Sequence, residues 1–144
     1  MAQQVTVLPN GISLAVGEVL VIGRDASQAE FTTFWTSFGA GASYLNGGTD
    51  SGVPIINGAE KFTLVAPGGA VVDGPARVGA ANKCYARTGQ NASADGSWVE
   101  AATTEATPGT AVAENVHGLV ISEWCDAEGT GNFVFEFIEI ANLP

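Results

Sequence analysis

The chain has a single histidine, His117, next to Gly118 at the start of a predicted strand. A Ser-His-Asp arrangement would need that imidazole at the centre of a pocket, between a nucleophile and a carboxylate. A lone histidine at a turn reads as polar surface, so no catalytic residue is assigned. Zinc is disfavoured on the same inventory. One His and two distant cysteines, Cys84 and Cys125, supply no ligand spacing. Calcium has the best oxygen donors, Asp126, Glu128 and Asn132 in the tight segment "DAEGTGN", with Asp50 in another such loop. The EF-hand spacing with its distal Glu is missing, and an ordinary acidic hairpin turn explains the same residues. No metal and no cofactor is expected.

Three further motifs carry little chemistry. Cys84 and Cys125 allow one disulfide, or two buried thiols. Asn91-Ala92-Ser93 fits a glycosylation sequon, which matters only in a eukaryotic secretory setting. "GAGAS" and "NGGTDSG" are glycine-rich but lack a lysine and a following helix, so they read as turns rather than phosphate loops.

The elements that must hold these residues are strands. At 144 residues the chain is sized for one domain with a real core. It has 19 glycines and only 14% charged residues, and Val, Ile, Thr and Phe runs are punctuated by Gly/Asn/Asp/Pro clusters. That is an all-β composition with many turns. The net charge of −10 argues against nucleic acid and anionic membrane partners. All basic residues lie at or before Arg87, and only acids follow, from Asp95 to Glu139. This acidic third reads as a solvated face, or as a docking face for a basic surface or cations. No apolar run approaches the ~20 residues of a membrane span. "MAQQVTVLPNG" lacks the basic start and apolar core of a secretion signal. The chain is therefore expected to stay in a cytoplasm, to leave it by lysis, or to have lost a signal.

Strands are expected at Val5 to Leu8, at 17–25, within 39–60, in a hairpin at 61–74, at 82–89, at "SWVEA", at 117–124 and at "FVFEFIEI". One helix is expected over about 27–38. Ser27 and Glu30 have capping-box spacing, and Phe31, Phe34, Trp35 and Phe38 share one face. That face reads as a lid on the core rather than a ligand platform. About eight short strands and one short capping helix imply a β-sandwich. Trp98, Trp124, Phe135 and Ile138 are expected to be substantially buried.

Four segments resemble the lamin tail domain, an immunoglobulin-like sandwich found in lamins and in many bacterial and phage surface proteins. They are "LPNGISLAVGEVLVIGRD", "NGAEKFTLVAPGGAVVDG", "GSWVEAATTEATPG" and "VISEWCDAEGTGNFVFEFIEIAN". Their order differs from the family's, whose opening hairpin corresponds to the last segment here. Val16 stands where a proline is usual, and the strand that follows the family's opening hairpin is not evident. The resemblance implies a circularly permuted immunoglobulin-like β-sandwich over 1–144. Its body would be 5–109, its linker 110–118 and its C-terminal hairpin 119–142. That hairpin would dock on its own body, or on a neighbour's in a strand-exchanged oligomer, with Phe133, Phe135, Phe137, Ile138 and Ile140 as the interaction residues. Nine extended residues reach about 30 Å, which leans towards exchange. A disulfide, if formed, would tie "ISEWC" to the 82–89 strand.

The function expected is structural and non-enzymatic, in a phage virion component such as a capsid decoration protein. Its partners would be further copies of itself or a capsid shell. The alternative is a binding module of a secreted bacterial surface protein, extracellular or at the cell surface, recognising carbohydrate or protein.

Overall fold

The computed structural model describes residues 7–48, 53, 55–111 and 113–144. Eight strands form within them: β1 (Val19–Gly23), β2 (Ser43–Asn46), β3 (Leu64–Val65), β4 (Val71–Asp73), β5 (Lys83–Arg87), β6 (Trp98–Ala102), β7 (Gly118–Cys125) and β8 (Phe137–Leu143). They divide unevenly, into a six-stranded sheet of order β2-β1-β8-β7-β5-β6 and the two-stranded hairpin β3-β4. With one short helix, α1 (Gln28–Phe34), this is the expected all-β fold with a capping helix. The Val5 to Leu8 strand falls mostly outside the described residues, and its Val7 and Leu8 are irregular. Asp50 also lies outside them.

The last of the eight strands, β8, is a central one. β8 pairs antiparallel with β1, Val21 opposite Glu139, and antiparallel with β7, Val120 opposite Ala141. The bridge 110–118 thus returns the hairpin to its own body. A central strand must be apolar on both faces. Phe137 and Ala141 meet the core on one face of the sheet, while Ile138 and Ile140 meet it on the other.

β8 begins later than the sequence pattern suggests. Gly131 takes a left-handed φ of 82°, and Asn132–Phe135 close into a 3-10 turn. Phe135 stacks on Phe34 with centroids 4.2 Å apart, and its carbonyl accepts from Trp35 Nε1 at 2.9 Å. Packing against α1 thus takes these aromatic residues out of the extended run.

Each face of the large sheet has its own cover. On one side lies α1, started by the Ser27–Glu30 capping box in both directions. It ends at Phe34, short of 38, but Phe31 and Trp35 still seal Val21 and Phe137. The parallel pairing of β1 with β2 follows from this crossover, because a helix must carry the chain back before a parallel neighbour can form. Ala106, Ala111, Ala113 and Val116 of the connector between β6 and β7 pack on the rest of that side. On the other side, Ile56, Phe62 and Ala76 around the β3-β4 hairpin pack over Tyr85, Trp98 and Trp124. Trp98 and Trp124 are buried as expected, and Phe135 and Ile138 half-buried. Cys84 and Cys125 sit directly opposite in the β5-β7 register and are joined as a disulfide.

Candidate functional site: buried carboxylates of the C-terminal hairpin

The acidic C-terminal third is not simply a solvated face. Glu123, Asp126, Glu136 and Glu139 are all buried, Glu139 completely. This corrects the expectation from charge alone. Glu123 and Glu139 are on strands inside the sheet, and Asp126 and Glu136 directly flank those strands, so their side chains follow the backbone into the core.

The centre of the site is a β-bulge. Ile121 faces Ile140, but the next pairing is Glu123 with Glu139, so Ser122 is one extra residue on β7. In an unbroken strand Ile121 and Glu123 would point to the same side. The bulge instead leaves Ile121 and Trp124 together on the hairpin side and turns Glu123 towards Glu139. Ser122 Oγ donates to Glu139 Oε1 at 2.5 Å.

Both carboxyls then hold the connector. The N–H of Gly109 donates to Glu139 Oε2 at 2.6 Å, and the N–H of Thr107 to Glu123 Oε1 at 3.0 Å. Gly109 has a φ of 86°, and a Cβ there would press on Ala42 and the backbone of Gly39. A cavity of about 220 Å³ lies beside the pair, lined by Thr107, Ser122, Glu123, Glu139, Ala86 and Leu143 among others.

Burial sets the proton affinities. It is the largest cause pushing Glu123 up to about 8, with the charge of Glu139 adding to it and Thr107 opposing. Burial likewise moves Glu139 up to about 6, against the hydrogen bonds from Ser122 and Gly109. Near neutral pH the pair therefore holds a proton, giving one neutral acid beside one anion. Such a pair is able to donate and accept a proton, but the donors around it are the chain's own.

The other buried acids do similar work. Glu136 accepts from the N–H of Ile56 at 2.9 Å and is raised to about 7 by burial, with Arg24 opposing from 3.9 Å. Asp126 accepts from the N–H of Asn82 at 2.7 Å, and burial raises it too. Asp73 receives Nη1 and Nη2 of the buried Arg87 at 2.9 and 3.0 Å, and the N–H of Ile121 at 2.9 Å.

The residues singled out by sequence are scattered. Asp126, Glu128 and Asn132 do not converge. Asp126 is turned to Asn82, and Asn132 Nδ2 donates to the Glu128 carbonyl at 2.7 Å. Among the described residues no group of three His, Cys, Asp or Glu side chains is placed to hold a metal. His117 is exposed, bound through its N–H to Gln90 Oε1 and through Nδ1 to the carbonyl of Pro144, away from the cavity. Phe137, Ile138 and Ile140 belong to the chain's own core. Phe133 alone of the five interaction residues is classed as exposed, lying under the Arg24 guanidinium. Glu123 and Glu139 were missed as a pair, although acids inside "VISEWC" and "FIEIAN" were the available signal.

No protein family, no curated protein and no solved structure matches this chain. The lamin tail resemblance thus stands on its four segments alone, and the all-β fold on the structure. Among the described residues no helix is long and apolar enough to cross a membrane.

Proposed function

We propose that the chain is a non-enzymatic structural and interaction module. The carrying observation is where its buried carboxylates end. Glu123 and Glu139 accept backbone N–H groups of one connector, at Thr107 and Gly109, while Glu136 accepts that of Ile56 and Asp126 that of Asn82. Groups committed to holding loops in place are not free to bind and turn over a substrate. The finer reading is a virion component, such as a capsid decoration protein, that works through strand and edge contacts. Support comes from the two ends of the large sheet, β2 and β6, which among the described residues have no strand beyond them, and from Val65, Val71 and Val72 exposed on the small hairpin. With β8 paired on both sides in one chain, contact with other copies or with a shell would run through these edges.

The disulfide favours a second reading. Disulfides persist in oxidising compartments, which suits a module of a secreted or surface protein that recognises carbohydrate or protein.

Light scattering across a dilution series tests the assembly reading, with Val99→Lys on the β6 edge as the variant. A stable oligomer that V99K disperses would support edge assembly. A monomer at all concentrations would remove self-assembly and turn the search to an external ligand of the second reading.

A further inference from the structure

We propose that Glu123 and Glu139 form a proton-gated latch that holds the stretch 106–111 of the β6–β7 connector on the sheet and releases it when both carboxyls ionise. The geometry carries this in three parts. The two carboxyls project from residues directly paired in the β7-β8 register. Each holds a backbone N–H of the connector, at Thr107 and at Gly109. The cavity beside them is lined in part by Thr107, Thr110, Ala111 and Ala113 of that same connector.

With one proton on the pair, both N–H bonds form and a single charge is buried. Loss of that proton leaves two anions one register step apart with little water. Thr107, Gly109 and Ser122 favour the ionised forms, but burial outweighs them at both residues. Two buried anions must be hydrated, and water entering from the cavity competes for them with the N–H groups of Thr107 and Gly109, loosening the connector.

No cation stands ready to neutralise the pair among the described residues. Arg87 on β5 borders the cavity, but its guanidinium is held by Asp73 and by the carbonyls of Gly89, Gln90 and Ile121. β1 presents Val19 and Val21. The connector's own acids, Glu105 and Glu114, are exposed, with Glu105 bound to the N–H of Ala102. α1 contributes Glu30, which is exposed and turned to Ser27.

Amide exchange by NMR, corrected for intrinsic rates, tests the latch between pH 5 and pH 9. Protection of Thr107 and Gly109 is expected to fall at least about tenfold further than that of Ile140 and Ala141 on β8, which follow the global stability. Glu123→Gln keeps an acceptor without the charge, and the fall should then disappear. Flat protection in the unmodified chain, or an undiminished fall in E123Q, would overturn the proposal. If E123Q does not fold, the carboxyl carbons of the unmodified chain decide. Titration of both residues near 4.3, as for an exposed Glu, overturns the latch, and displacement of either one upward supports it.

Discussion

Two buried ionic clusters lie on opposite faces of the large sheet, and they handle charge in opposite ways. On the hairpin side Arg87 meets Asp73 in a two-pronged pair, and the remaining guanidinium donors reach carbonyls. On the connector side Glu123 meets Glu139, like facing like. The first cluster is neutral in sum. The second is neutralised only by a proton. In these two clusters buried charge is thus held by a counter-charge on one face and by protonation on the other.

The largest effect is expected from breaking the neutral cluster. Arg87→Met leaves the Asp73 carboxylate buried without its partner and should lower stability by about 3–5 kcal/mol. Urea denaturation measures it, and a loss under 1 kcal/mol would mean that the pair contributes little. The disulfide ties β5, which carries Arg87, to β7, which carries Glu123. Replacing both cysteines by alanine should cost about 2–4 kcal/mol, seen as a lower urea midpoint.

The like-charge cluster is tested by pH. Glu123 and Glu139 bind protons more tightly folded than unfolded, so their contribution is fully present below about pH 4.3, the unfolded value. It is lost as pH rises through about 6 and about 8. Urea midpoints should fall over that window by an amount worth about 2 kcal/mol or more. Glu136, raised to about 7, adds in the same sense. Glu123→Gln should flatten the upper part of the curve and leave the Glu136 part. A midpoint that rises from pH 5 to 9 would contradict the comparison. The smallest effect is Ser122→Ala. It removes a donor to Glu139, raises that carboxyl's proton affinity further, and should cost about 1 kcal/mol, more at pH 8 than at pH 5.

Much of the fold was legible in local pattern. The "VLVI" run announced an interior strand, Ser27 and Glu30 announced the helix start, and "APGG" the hairpin turn. These features are decided by residues close together in the chain. The acids were misread because charge was counted along the chain rather than by strand position. A strand covered on both faces has no solvent side, so Glu139 within "FIEI" had to be inside. The bulge at Ser122 was out of reach, because a one-residue slip depends on what the partner strand presents. The late start of β8 was hidden for a similar reason: Phe133 and Phe135 have strand propensity, but Arg24 and α1 claim them.

The placement of β8 bears on how the chain is born. β1 and β2 leave the ribosome early, and β5, β6 and β7 follow, yet the two groups share no strand until Phe137–Leu143 appears between them. The clasp from Asn142 Nδ2 to the Leu14 carbonyl closes over 128 residues. A sheet whose keystone is synthesised after all its neighbours cannot assemble piecewise during translation, and contacts of such span slow the search for the native state. The nascent chain is therefore expected to keep the inner edges of β1 and β7 unpaired until residue 143 has cleared the exit tunnel, the interval in which a chaperone would have most to cover.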